Sequence, residues 1–308
     1  MNSAVLLVSH GTVDDLDDLQ TFVTNVRRGH PPPPELIVEL RRRYQAIGGR
    51  SPLNSINAEL ARKLELRLGQ RVAWANRLFK PYTREVLTAL ARDGIRRVAL
   101  VPLAQHSAAI YTADASRAAA DVEIALTSAP DWGQNDELCA AFGARIVHAL
   151  AGAPVDRTVV VMTAHSLPKS IVDAGDPYER EVRLAAAKIA GALELRLGRA
   201  LRIVVAFQSQ GFGAGPGSRP VEWLGPDLRE TLDEARERNY THALFAPVGF
   251  LADHVEILYD LDIEARAMCA ERSLSYARAP SLNAEDDFVD ILAGIARSLL
   301  GANTPSPS

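Results

Sequence analysis

Short apolar runs alternate with longer amphipathic stretches along almost the whole of this chain. Seven runs predict strands: AVLLVS (4–9), RVAWAN (71–76), RVALVPL (97–103), VEIALTSA (122–129), TVVVMTA (158–164), RIVVAFQS (202–209) and HALFAPVG (242–249). Few polar residues interrupt them, which predicts strands covered on both faces and therefore parallel sheets. Between them, SINAELARKLELRLG (55–69), REVLTALARDG (84–94), EREVRLAAAKIAGALELRLG (179–198) and DLRETLDEARERN (227–239) carry helical spacing. The βαβα rhythm through both halves predicts an α/β protein of two doubly wound domains, each a parallel sheet flanked by helices. AGAPVD (151–156) reads as the linker, giving domains over 1–152 and 153–285. A last helix over 286–301 is expected to pack back on the body, with a frayed tail at 302–308. No sequence repeat between the halves is expected.

Composition narrows the class. Hydrophobic and charged contents of 47% and 23% are those of an ordinary globular protein. With 34 basic and 38 acidic residues the net charge is −4, which argues against general attraction to nucleic acid. Cys139 and Cys269 form no CxxC pair and predict reduced, buried thiols in a cytoplasmic protein. No apolar run approaches the roughly 20 residues that span a bilayer, and AVLLV is too short for a signal peptide. HPPPP (30–34) predicts a rigid connector, and GFGAGPGSRPVE (211–222) a Gly/Pro surface loop. Neither a phosphate-cradling loop nor GxGxxG after the first strand is present, so nucleotide binding is disfavoured.

The candidate chemistry lies at strand ends, where open α/β sheets bind ligands. These are Ser9-His10-Gly11-Thr12, Gln105-His106-Ser107, Ala164-His165-Ser166, Gln208-Ser209-Gln210 and Gly249-Phe250. Further on, LADHVEILYDLDIE (251–264) sets Glu256, Asp260 and Glu264 at i, i+4 and i+8 on one helical face. In an α-helix each such step drifts by about 40°. A π-type widening would keep the three aligned. One imidazole facing a row of carboxylates can accept a divalent metal and move protons away from it. That is the chemistry of metal insertion.

Four longer segments carry a resemblance: VRRGHPPPPELIVELRRRYQAIGGRSPLNSIN (26–57), TAHSLPKSIVDAGDPYERE (163–181), FQSQ with WLGPDL (207–210 and 223–228), and PVGFLADHVEILYDLDIE (247–264). In order and spacing they resemble the ferrochelatase family over most of the chain. The resemblance implies two Rossmann-like, chelatase-type domains with the active-site cleft between them. It also implies insertion of Fe²⁺ into coproporphyrin III or protoporphyrin IX with release of two protons, in haem synthesis. RRG…RYxxIGGxSPL looks closest to the soluble enzymes of Gram-positive type.

Carried over residue by residue, the family's conserved pair corresponds to His165 and Glu256, as catalytic and metal-binding groups. Asp260 and Glu264 then form an acidic path for metal or protons. His10 stands where soluble relatives often carry a tyrosine that can ligate the product iron, so it is a candidate ligand for metal and porphyrin. It also resembles the VGHGS start of sirohydrochlorin chelatases. His106 lies where many members have an aromatic residue. Ile47 and Leu53 are expected to wall the porphyrin, beside a glycine turn allowing close backbone approach. Arg27, Arg43 and Ser51 are candidate propionate anchors, and Gln105 a further porphyrin contact.

The resemblance implies no organic cofactor, with Fe²⁺ as substrate. Two cysteines cannot supply the four thiolates of the iron–sulfur cluster carried by some members. A monomer without a membrane span is expected. Two other readings are a sirohydrochlorin-type cobalt, nickel or iron chelatase, and a noncatalytic porphyrin or haem carrier. The length and DHVEILYDLDIE argue against the first. A carrier would have no use for the carboxylate row.

Overall fold

A computed structural model describes residues 2–210 and 221–301. The tail expected at 302–308, and all but the last two residues of the loop at 211–222, lie outside them.

The chain begins with β1 (Ser3–Ser9), α1 (Leu19–Val26), α2 (Pro34–Ala46), α3 (Leu53–Leu68) and β2 (Val72–Asn76). It continues through α4 (Thr83–Arg92), β3 (Arg97–Pro102), α5 (Ala108–Ala120) and β4 (Ala125–Ser128). These strands form one parallel sheet in the order β2-β1-β3-β4. Next come α6 (Asp136–Ala149), β5 (Thr158–His165), α7 (Lys169–Asp173), α8 (Tyr178–Leu197), β6 (Arg202–Gln208), α9 (Leu228–Glu237) and β7 (His242–Ala246). After β7 follow α10 (Val255–Tyr259), a π-helical turn (Asp260–Ala265), α11 (Arg266–Glu271), β8 (Ser275–Arg278) and α12 (Asp286–Gly301). Their strands form a second parallel sheet, β6-β5-β7-β8. Its order is that of the first with every number raised by four.

Both central strands are buried along nearly their whole length, as strands covered on two faces must be. In the first sheet's core, Leu6, Val8 and Leu100 pack with Leu87 of α4 and Ala115 of α5. In the second, Val161 and Phe245 pack with Leu232, Ile257 and Leu261. The helices preceding the edge strands β2 and β6 both end on a left-handed glycine, Gly69 (φ 61°) and Gly198 (φ 65°). Both glycines close an identical hexapeptide, LELRLG, at 64–69 and 193–198. The halves thus share a sequence trace where none was expected.

The chain divides into two compact units, passing from the first to the second between Trp132 and Gly133 and back between Leu282 and Asn283. The expected linker at 151–156 is therefore not the boundary: it lies inside the second unit. The helix responsible is α6. Its buried face (Leu138, Phe142, Ile146) belongs with α8 and β7, so the chain changes unit before this helix rather than after it. An amphipathic pattern reveals that a helix is covered, not which sheet covers it. α12 makes the reverse passage and packs on α3 and β3, with Phe288 stacked against Trp132 at 6.4 Å. β8 escaped the pattern because SYAR has no apolar run and lies at the sheet edge. No helix among the described residues is long and apolar enough to cross a membrane.

Candidate active site

In the second unit the site begins at the end of β5. Its residues 158–164 are buried, and His165 is the first to emerge. The Nδ1–H of His165 donates to the Ser166 carbonyl at 2.5 Å. Ser166 is itself fixed: its N–H donates to the Gln208 carbonyl at 2.7 Å and its hydroxyl to the Leu224 carbonyl at 3.0 Å. The imidazole is thereby held by one nitrogen, and Nε2 faces Glu256.

Glu256 arrives from the segment after β7. The Gly249 N–H donates to the Thr163 carbonyl at 2.9 Å, so the loop lies flat on β5. His254 follows as the N-cap of α10, and Glu256 stands in that helix's first turn. One carboxylate oxygen lies 3.6 Å from His165 Nε2, and the other 3.5 Å from His254 Nε2. The Gln208 amide donates to the Glu256 carbonyl at 3.1 Å and anchors the helix start. The side chains of His165 and Glu256 remain 37% and 34% exposed, which leaves them open to a ligand.

Electrostatics join these groups into a unit. Burial disfavours the imidazolium of His165, but the Glu256 charge and contact, the Ser166 carbonyl and the Asp260 charge outweigh it and hold the pKa at about 9. Burial likewise opposes ionisation of Glu256, yet His165 and His254 hold its carboxyl well below the usual range. At neutral pH the metal-free pair is imidazolium and carboxylate.

The carboxylate row continues through the π turn. Asp260, its first residue, is 4% exposed and accepts a hydrogen bond from the Ser209 hydroxyl. Ser209 adopts a left-handed φ of 60°, a conformation uncommon outside glycine. Glu264 lies half-buried in the same turn. The apolar residues Ile257, Leu261, Ala265 and Cys269 also recur every four positions, all fully buried. A π turn closes i→i+5 and winds less per residue, so it takes back the drift an α-helix would impose on both rows.

The remaining candidate residues belong to the first unit. His10 is exposed just beyond β1, with Nδ1 3.4 Å from the Tyr111 hydroxyl and Phe22 edge-on at 6.4 Å. Gln105 and His106 are buried, and the Gln105 carbonyl accepts from the Trp132 N–H at 3.0 Å. Arg27 follows α1, and its Nε is buried without a hydrogen-bond partner. Arg43 is engaged by Glu39 at 2.8 Å. Arg42 pulls Glu39 down to about 2, against the cost of burial and with help from Arg43. Ile47 and Leu53 are half-buried on either side of the turn, and the buried Ser51 hydroxyl accepts from the Leu53 N–H at 3.3 Å. Gly48 and Gly49 have φ of 99° and 89° with nothing within 4 Å of an added Cβ. Positive φ alone already calls for glycine at both positions, and the open space beside them leaves room for the close approach of a porphyrin.

One residue adds to what the sequence suggested, and two gain contacts it did not show. The DHxE spacing could have pointed to His254 as a second partner of Glu256. Ser209 and Gln208 follow from their strand-end place, but their contacts with the 256–260 helix had no signal in the sequence.

Paired parallel α/β layers with a metal-capable pair at a strand end define a chelatase-type protein. The structure of SirB from Bacillus subtilis with Fe³⁺ shares this fold, with a TM-score of 0.59 at 15% identity over 97% of this chain and 96% of that one. The family model described as Ferrochelatase matches residues 2–300. The coproporphyrin III ferrochelatase of Geobacillus kaustophilus is 33% identical, over 95% of this chain and 94% of its own. The ferrochelatase of Herpetosiphon aurantiacus is 34% identical over 94% and 96%, and the coproporphyrin III ferrochelatase of Bacillus subtilis 30% over 96% and 97%. This chain belongs to the ferrochelatase family. It is a lyase of haem biosynthesis that inserts Fe²⁺ into a porphyrin.

Proposed function

We propose that the porphyrin is coproporphyrin III and that His165 and Glu256 receive the Fe²⁺. The names of several relatives at 30–33% identity support the substrate. The placement of one carboxylate between two imidazoles, at the head of the Asp260–Glu264 row, carries the reading of the site.

The reaction exchanges one Fe²⁺ for two pyrrole N–H protons. Fe²⁺ approaching Glu256 makes the imidazolium of His165 unfavourable, and its Nε2 proton leaves along Asp260 and Glu264. Nε2 and the carboxylate then share the ion, whose other positions remain for water and pyrrole nitrogens. As the metal enters the ring, the imidazole regains the basicity that Glu256 confers and takes up a pyrrole proton. A second proton follows the same route.

In this reading Arg27 and Arg43 serve the propionates, Ile47, Ser51, Leu53 and Gln105 line the porphyrin, and His10 is an axial donor for iron. The protein works without an organic cofactor, as a cytoplasmic monomer; its two free, buried cysteines suit a reducing compartment. Glu256→Gln tests the site. Insertion should fall by about 10² or more while porphyrin binding, followed by fluorescence quenching, is retained. Undiminished turnover would contradict it.

A further inference from the structure

The π turn is gripped from the side opposite its carboxylate row. Asp262 lies two residues from both Asp260 and Glu264, roughly half a turn away from them. Its carboxylate accepts Arg278 Nε at 2.7 Å on one oxygen and Arg278 Nη2 at 3.0 Å on the other. The Tyr276 hydroxyl adds a third bond at 2.8 Å. The backbone carbonyl of Asp262 accepts Arg266 Nε at 3.0 Å, and that guanidinium covers the Tyr276 ring at 4.5 Å. The same Arg278 reaches back through Nη1 to Asp253 at 3.2 Å, which also accepts the Ser281 hydroxyl at 2.7 Å. One guanidinium on β8 therefore ties the residue before His254 to the middle of the π turn.

From this geometry we infer that Arg278, acting through Asp262 and Asp253, is a positioning residue for the Glu256–Asp260–Glu264 row. A π turn is rare on its own and persists where surrounding contacts hold it. Here the holding contact is a two-pronged, partly desolvated ion pair, with Arg278 only 15% exposed. Without the fork the segment can rewind to an α-helix, and each four-residue step then drifts by about 40°. Asp260 and Glu264 would swing out of line with Glu256, while no residue assigned to the porphyrin changes its contacts. The inference rests on the reading that this row serves Fe²⁺.

The test is Arg278→Lys, which keeps the charge and loses the fork. Asp262→Asn cuts the same link from the other side. Both variants should raise the Fe²⁺ KM or lower kcat/KM for Fe²⁺ at least tenfold. The porphyrin KM should stay within twofold, and amide exchange across 259–266 should quicken. Glu256→Gln is run beside them. Wild-type Fe²⁺ kinetics in folded Arg278→Lys, with Glu256→Gln inactive, would overturn the positioning role alone. Equal losses for both substrates, tracking a fall in Tm, would likewise reduce the clamp to general stability. Full activity in Glu256→Gln would remove the underlying reading and the inference with it.

Discussion

Gly249 lies so close to Ala164 that a Cβ at 249 would come within 2.5 Å of the Ala164 Cβ. The contact presses the loop carrying His254 and Glu256 onto the strand that ends in His165. Gly249→Ala forces the two apart and should destabilise the fold by about 1–3 kcal/mol. Insertion should fall further than stability, because the loop moves as a body relative to β5. Thermal unfolding and turnover measured on one preparation check this; an Ala variant with wild-type Tm and activity would contradict it.

The coupling of His165 to Glu256 sets a pH dependence. The folded-state pKa of about 9 lies above the ordinary imidazole value, so the stabilisation it brings is full below about 6.5 and is lost as pH rises through about 9. Fe²⁺ competes with the Nε2 proton, so kcat/KM for Fe²⁺ should climb with pH toward that inflection. Removing the carboxylate in Glu256→Gln leaves burial opposing the imidazolium, and the inflection should move to lower pH. Imidazole NMR titration of the metal-free protein reads it directly. An unmoved inflection would separate the two residues.

The two candidate propionate anchors should differ. Arg43 already spends its charge on Glu39, whereas Arg27 carries a buried Nε without a partner. A charge-assisted hydrogen bond contributes roughly 1.5–3 kcal/mol, so Arg27→Gln should raise the porphyrin KM about tenfold or more. The Fe²⁺ KM should be unchanged, and Arg43→Gln should have the smaller effect. Steady-state kinetics with each substrate varied in turn would decide the order.

What the sequence made legible follows from what periodicity encodes. Buried strands such as Thr158–His165 are local patterns and stand where the pattern placed them, and the i, i+4, i+8 carboxylates fall on α10 and the π turn that follows it. The π turn is the widening that would keep such a row aligned. Partnership across elements is not local. Nothing in Asp136–Ala149 announces which sheet it covers, and nothing in SYAR announces that Arg278 reaches Asp253 and Asp262. The glycine turn at 48–49 was legible in residue type, and its positive φ adds a backbone reason for glycine that the sequence alone does not separate from close approach.

An anaerobic insertion assay with Fe²⁺ and, in parallel, coproporphyrin III and protoporphyrin IX tests substrate and site together. The enzyme should turn over both porphyrins or coproporphyrin alone, with kcat/KM higher for coproporphyrin III. A clear preference for protoporphyrin IX would contradict the proposed substrate. Tight binding of both porphyrins without any insertion would contradict the assignment of His165 and Glu256 as the groups that deliver the metal.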